Sequence, residues 1–274
     1  MALLRIFITS AVLFSLILAS LIDQIVGASQ PVAQKASYEG KAITLDSKPT
    51  IIRHSRNWSG GINPASPNTS GYFAAAGMKF TAPAALGPDI IQPDAEYYAA
   101  SIWVGIDGWS HGSALLQTGV TIEVNKSVSG EVAYVPWYEW WPAVAMRLDV
   151  PIGAGDEVEL EVVMFNATSG KVFVQNHSRG EWVSRKLMAP QPDAQLVGKN
   201  VEWIVEDFAL SEGGNVPLGD FGTITLRDCN AHLSTGELVG PSQSEAFWMR
   251  QDNMTRTQAT IVDNSVKVEY MHSL

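Results

Sequence analysis

The chain has 274 residues, one cysteine and a formal net charge of −10. A single cysteine excludes an intrachain disulfide, so the fold must depend on its hydrophobic core. The chain has 18 basic and 28 acidic residues, of which six basic and three acidic residues lie in the first 56 positions. The remainder therefore has 12 basic and 25 acidic residues. This acidic remainder argues against a nucleic-acid partner, because phosphate binding requires clustered lysine and arginine. An acidic composition is also typical of a protein that works at low pH, because protonation of the carboxylates leaves few positive charges to repel one another. An ordinary acidic surface is the alternative.

The first 28 residues have the pattern of a secretory signal peptide. Arg5 precedes an apolar stretch from Ile6 to Ile22, and small residues follow at Gly27 and Ala28. A retained membrane anchor is the alternative, because the stretch approaches the length of a membrane span. Six Asn-x-Ser/Thr sequons agree with a glycosylating secretory pathway: Asn57, Asn68, Asn125, Asn166, Asn176 and Asn253. We therefore expect a secreted, extracellular glycoprotein with no membrane contact after signal cleavage.

Residues 29–56 are polar, basic and poor in aromatic residues, and they end at Arg56. We interpret this segment as a propeptide, with a disordered N-terminal arm of the mature protein as the alternative. Residues 57–274 are sufficient for one large domain with a self-sufficient core.

From residue 57 the sequence is a series of short strands separated by turns. Val120–Val124 and Glu157–Val163 alternate apolar and polar residues, which predicts half-buried strands with polar outer faces. Further strands are predicted at Ala100–Ile106, Tyr134–Trp140, Lys171–Gln175, Trp182–Lys186, Val201–Phe208, Gly222–Arg227 and Val266–Met271. No sustained helical periodicity stands out. We predict an all-β fold, a β-sandwich of two antiparallel sheets of the concanavalin A-like or jelly-roll-like kind.

The common catalytic motifs are absent from the sequence. There is no His-Glu-x-x-His, no Gly-x-Ser-x-Gly and no Walker loop. The histidines are scattered, and nothing marks Cys229 as a nucleophile. We predict neither a metal site nor a cofactor.

Three blocks instead combine aromatic residues with acids or amides: residues 103–120, 137–142 and 201–208. Residues two apart on a strand share a face, so Trp137 and Glu139 project together, as do Glu202 and Glu206. If these faces line one concave sheet, they form a groove for an extended peptide or sugar polymer. A core of tryptophans with carboxylates at strand edges is the alternative. Strand parity alone does not single out one carboxylate.

The three blocks closely resemble the eqolisin family of glutamic endopeptidases. In that family the glutamine of Leu-Gln-Thr-Gly-Val and the second glutamate of Glu-Trp-Ile-Val-Glu-Asp-Phe form the catalytic pair, which implies Gln117 and Glu206 here. The resemblance also implies a bent sandwich, a cleaved propeptide and activity at acid pH. The substrate-binding groove residues that it carries over are Trp103, Asp107, Trp137 and Glu139.

The sequence departs from the family pattern at a few positions. Val135 occupies a place where family members often have an acid, so a supporting polar contact is expected to be lost. Cysteines that flank the first block in other members are replaced by Ala99 and His111, which agrees with the absence of a disulfide.

The implied pair makes chemical sense for peptide hydrolysis. A glutamate with a pKa of about 4.3 takes a proton from water near pH 4 and returns it to the leaving nitrogen, while the non-titrating amide stabilises the oxyanion. We expect a monomer that cleaves proteins and peptides and is inhibited by its own basic propeptide. The alternatives are a glycoside hydrolase that uses Glu139 and Glu206, and a non-catalytic carbohydrate- or protein-binding sandwich.

Overall fold

The computed structural model describes residues 50–64, 71–84, 86–126, 131–208 and 216–272. The signal peptide predicted for residues 1–28 and most of the propeptide predicted for residues 29–56 lie outside these ranges. Within the described ranges, no helix is long and apolar enough to cross a membrane.

The described residues form 17 strands and one short 3₁₀ helix, Pro241–Gln243. The strands are β1 (Ile52–Ser55), β2 (Trp58–Pro64), β3 (Phe73–Thr81), β4 (Tyr97–Asp107), β5 (Leu115–Asn125), β6 (Glu131–Trp141), β7 (Met146–Arg147), β8 (Glu157–Asn166), β9 (Ser169–Asn176), β10 (Glu181–Met188), β11 (Asn200–Glu206), β12 (Thr223–Leu233), β13 (Leu238–Val239), β14 (Glu245–Gln251), β15 (Met254–Thr255), β16 (Thr257–Val262) and β17 (Ser265–Tyr270).

The strands form two sheets. The first, sheet A, has the order β1-β14-β2-β11-β4-β5-β6-β7, with β15 paired to β14. The second, sheet B, has the order β10-β9-β8-β3-β12-β17-β16, with β13 paired to β12. Neighbouring strands are antiparallel except β1 and β14, which are parallel. The predicted sandwich of two antiparallel sheets is confirmed, and every strand predicted from the sequence overlaps an observed one.

The main core lies between the sheets, and a smaller apolar cluster covers the outer face of sheet A. Trp140 and Trp203 belong to the main core, where their indole N–H groups donate to backbone carbonyls at 3.0 Å. Trp103 and Trp137 belong to the outer cluster. Consecutive side chains of a strand point to opposite faces of its sheet. The tryptophans of sheet A are therefore divided between the main core and the outer cluster.

The predicted polar outer face of β8 is not open to water. Glu159 is 6% exposed and Glu161 is 8% exposed, with Gly77 of β3 and Phe173 of β9 on either side of Glu161. Glu159 forms a 2.5 Å hydrogen bond with His177, whereas Oε1 of Glu161 has no partner in the described structure. Burial raises the pKa of Glu161 to about 7, and the charge of Glu159 adds to the effect.

This burial predicts that the fold is more stable in acid. The pKa of Glu161 rises from 4.5 to about 7 on folding, so its stabilising effect is complete below pH 4.5 and is lost as the pH rises through about 7. That loss is on the order of 3 kcal/mol in the free energy of unfolding. Glu161→Gln should remove this part of the difference between urea unfolding at pH 4 and at pH 8.

Glu181→Gln is the matched control, because Glu181 is an exposed glutamate on the same sheet. It should leave the pH dependence of unfolding as it is in the wild type. An equal pH dependence in the wild type and in Glu161→Gln would contradict the prediction.

Candidate active site

An open groove with a volume of about 680 Å³ lies on the outer face of sheet A. Of the residues that the sequence implies as site residues, Gln117, Trp137, Glu139 and Glu206 line this groove. Trp103 is fully buried beside it, and Asp107 is buried below its surface.

Strand register brings together residues that are distant in the sequence. Glu206 ends β11 and lies opposite Ser101 on β4. Gln117 on β5 lies opposite Gly105 on β4 and Glu139 on β6. Glu206 and Gln117 therefore stand two strands apart across the floor of one sheet, on the same face.

Glu206 is held by three N–H donors. Its Oε1 accepts hydrogen bonds from Asn57 Nδ2 at 3.1 Å and Trp58 Nε1 at 3.0 Å, and its Oε2 accepts one from Trp103 Nε1 at 2.8 Å. Burial raises the pKa of Glu206 to about 7; the N–H donors lower this pKa, and the charge of Glu139 raises it. The carboxyl group is therefore mainly protonated in acid.

Gln117 is held by Glu139. Nε2 of Gln117 donates to Oε2 of Glu139, and Oε1 of Gln117 has no hydrogen-bond partner among the described residues. Burial raises the pKa of Glu139, and the bond from Gln117 opposes that change. The contact fixes which end of the amide faces Glu139, and it leaves the second N–H of Nε2 free to donate elsewhere.

Gly119 makes the floor between these groups possible. A Cβ at this position would lie 2.7 Å from Cζ2 of Trp137 and 2.7 Å from Cβ of Trp103. Since neither contact is sterically tolerable, a larger residue would displace Trp103, whose indole holds Glu206. Glycine at this point of the Gln117 block is therefore a requirement of the site.

Burial distinguishes the two glutamates of β11 that strand parity could not separate. Glu202 is 0% exposed, does not line the groove and accepts a hydrogen bond from Asn200 Nδ2. Burial first, and then the charge of Asp107, raises its pKa well above the usual range. Glu206 stands at the strand end, where its side chain reaches the groove. Of these two glutamates, Glu206 is therefore the one that lines the groove.

Asp107 does not face the groove, in contrast to its expected place among the substrate-binding residues. Its carboxylate is 0% exposed and accepts backbone N–H bonds from Val197 at 2.7 Å, Gly198 at 2.9 Å and Lys199 at 2.7 Å. The physical reason is that these three N–H groups enclose the carboxylate where β4 ends. Asp107 anchors the segment before β11.

Sequence reasoning missed Asn57 and Trp58 as partners of Glu206. Both lie just after β1, where Trp58 begins β2, and Oγ of Ser55 accepts their backbone N–H bonds at 3.3 and 3.1 Å. The carbonyl of Asn57 accepts a 2.9 Å bond from the N–H of Asp207, next to Glu206. No local sequence signal marks this contact, because it joins the start of β2 to the end of β11.

Comparison with known proteins agrees with this geometry. The model of the Peptidase A4 family matches residues 56–270. Aspergillopepsin-2 of Aspergillus niger is 36% identical over 179 residues, which covers 64% of this chain and 61% of aspergillopepsin-2. Scytalidopepsin B of Scytalidium lignicola is 27% identical over 278 residues, which covers 97% of this chain and 99% of that protein.

Solved structures show the same fold. Scytalido-glutamic peptidase, crystallised with a transition state analog inhibitor, has a TM-score of 0.67 and 27% identity, covering 79% of this chain and 98% of that chain. Aspergilloglutamic peptidase from Aspergillus niger has a TM-score of 0.59 and 35% identity, covering 64% of this chain and 99% of that chain. The family match over most of the chain, together with these structures, shows that the chain belongs to the Peptidase A4 family, the eqolisins, which are glutamic peptidases.

Proposed function

We propose that this protein is a secreted endopeptidase that hydrolyses peptide bonds of protein substrates in acid. The observation that carries the proposal is the placement of Glu206 in an open groove, where three N–H donors hold it and Gln117 lies two strands away on the same face. An extended polypeptide can lie in such a groove between the two groups.

Glu206 performs both proton transfers in the proposed reaction. The attacking water loses a proton to one oxygen of Glu206, while the proton already carried by the carboxyl group passes to the scissile nitrogen. A C–O bond forms, the C–N bond breaks, and Glu206 ends the cycle protonated. No covalent intermediate with the protein is needed.

Gln117 supplies the oxyanion stabilisation. One N–H of its amide is committed to Glu139, and the other donates to the substrate carbonyl oxygen as negative charge develops there. One such donor typically lowers the barrier by about 3 to 4 kcal/mol. In a glycoside hydrolase Glu139 would instead face the scissile bond as a second reactive carboxyl group. Its engagement with Gln117 supports the peptidase.

The burial of Glu206 changes the order of proton transfers expected from an ordinary glutamate. With its pKa raised to about 7, Glu206 is mainly protonated at pH 4. A first step that needs the carboxylate would depend on the minor ionised fraction. Donation of the resident proton uses the dominant form, which is why the proposed cycle begins with protonated Glu206.

We also propose that the basic N-terminal segment is removed as an inhibitory propeptide, but that the cut lies before Ile52. The strand β1 pairs with β14, and Arg53 binds both carboxylate oxygens of Glu245, at 2.7 and 3.0 Å. Cleavage after Arg56 would separate β1, with Ser55, from Asn57. It would also turn the backbone nitrogen of Asn57, whose side chain donates a hydrogen bond to Glu206, into an ammonium group.

Substitution of the two reactive residues tests the mechanism. Glu206→Gln should lower kcat/KM by about 10²- to 10⁴-fold, because proton transfer is lost. Gln117→Ala should lower it by about 10²- to 10³-fold, because one oxyanion donor is lost. Hydrolysis of a fluorogenic peptide at pH 4 measures both, with circular dichroism to confirm folding. Full activity in Glu206→Gln would contradict the proposal.

Glu202→Gln provides a matched control for that experiment. It changes a glutamate on the same face of the same strand that does not line the groove. Because Glu202 is buried and its pKa is raised, an amide resembles its neutral form, and activity should stay within a few-fold of the wild type.

The pH profile tests which form of Glu206 is reactive. We expect kcat/KM to be high in acid and to fall as the pH rises through about 7, where Glu206 ionises. Trp58→Phe removes an N–H that stabilises the carboxylate, so the fall should move to higher pH. Trp182→Phe, an exposed tryptophan of sheet B, is the control. Initial rates after a pH jump that rise from pH 4 to pH 7 would show that the carboxylate is the reactive form.

The processing site is tested by the N-terminus of the active enzyme. Intact mass and N-terminal sequencing should place it at or before Ile52, so that β1 remains attached. A fully active enzyme that begins at Asn57 would show that β1 is dispensable.

A further inference from the structure

The groove has an uneven charge distribution. Three acids line it, Glu123, Glu139 and Glu206, and each interacts with a neighbouring polar side chain. Among the groove-lining residues that the structure describes, Arg147 is the basic one. Its side chain forms no hydrogen bond or ion pair with any other described residue. A guanidinium group with no protein partner is free to bind a ligand.

The position of Arg147 is fixed by strand pairing. Arg147 belongs to β7, the edge strand of sheet A, and lies opposite Trp137 on β6. Trp137 in turn lies opposite Gly119 on β5, the strand that carries Gln117. Arg147 therefore stands at the rim of the groove, on the same row as the indole that forms its floor.

None of the three acids that line the groove forms an ion pair with Arg147 in the described structure. Val135, two residues before Trp137 on the same face, is half-buried, apolar and part of the lining. Two exposed apolar side chains line the same groove: Trp141 is 45% exposed and Met146, the residue before Arg147, is 50% exposed. Exposed apolar side chains beside a groove are typical of surfaces that contact a ligand.

We propose that Arg147 forms a subsite that binds a carboxylate of the substrate, two or three residues from the scissile bond. Neighbouring strands are about 4.8 Å apart, so β7 is about 10 Å from the strand of Gln117. An extended peptide covers that distance in about three residues. This inference rests on the proposed function, and it names a specificity-determining residue for it.

The chemistry suits the working pH. Arginine keeps its charge at every pH in question and matches a carboxylate with two parallel N–H bonds. A glutamate side chain of the substrate has a pKa of about 4.3, so its ionised fraction grows between pH 3 and pH 5. The preference for an acidic residue should therefore be small at pH 3 and larger at pH 5.

Matched peptides test the subsite. Each peptide carries either Glu or Gln at one position within three residues of the cleaved bond, and a second set compares a free C-terminus with an amide. At pH 5 the wild type should cleave the best Glu peptide about 3- to 10-fold more efficiently than its Gln partner. Arg147→Gln should reduce this ratio to about 1. If the free C-terminus and not a side chain gives the preference, the subsite binds the terminal carboxylate.

The control is Arg185→Gln, which removes an exposed arginine from β10, the edge strand of the other sheet. It should leave the ratio as in the wild type. Equal cleavage of Glu and Gln peptides by the wild type, or a ratio that survives Arg147→Gln, would overturn the proposal.

A binding measurement separates the subsite from the proposed peptidase activity. Affinities of the same Glu and Gln peptides for Glu206→Gln protein, with and without Arg147→Gln, should show the same ratio without turnover. If the wild type cleaves no peptide, the proposed function fails while this comparison still decides on Arg147. If peptides are cleaved and no carboxylate preference exists in either assay, only the subsite is rejected.

Discussion

The site depends on one partly buried carboxyl group that is held by N–H donors. Two indoles and one amide donate to Glu206, and they come from the start of β2 and from β4, on either side of β11. The order β2-β11-β4 in sheet A is therefore a requirement of the chemistry. Any other strand order would leave Glu206 with fewer donors, a higher pKa and an undefined orientation.

The same constraint explains the glycine and tryptophan content of the sequence blocks. An indole N–H reaches across a neighbouring strand only if the residues around the ring are small, and Gly119 provides that space. Tryptophan supplies a donor that does not titrate, so the contact persists at every working pH. Glycine and tryptophan thus occur together in these blocks because Gly119 leaves space for the side chains of Trp103 and Trp137.

The sequence predicted the sandwich and its main strands because alternation with a period of two is a strong signal. It missed β3, where Ala74, Ala75 and Ala76 are all buried, because alanine runs have weak strand propensity. It also missed β2, where Gly60 and Gly61 lie in the strand. Such strands form because tertiary packing overrides their local propensity.

The functional residues could be predicted only in part for related reasons. Alternation places Glu202 and Glu206 on one face, and choosing between them required either the family motif or the observed burial. Asp107 shows a different failure, because backbone N–H groups of the segment before β11 enclose its carboxylate and keep it out of the groove lining. Asn57 and Trp58 depend on a contact between segments about 150 residues apart, with Asn57 Nδ2 and Glu206 separated by 149 positions. No local pattern encodes such a contact.

Low pH favours both the stability of the fold and the protonated form of Glu206. Glu161 in sheet B and Glu206 in sheet A have pKa values of about 7 for the same first reason, which is burial. In acid both are neutral. The protonated Glu206 that the proposed mechanism requires therefore exists under the conditions in which the two glutamates destabilise the fold least. The acidic composition limits the opposing effect, because protonated carboxylates leave few positive charges to repel one another. At neutral pH the ionised glutamates would weaken the packing around them and remove the proton from Glu206 together. The acid preference is therefore a property of the whole fold as well as of the reactive pair.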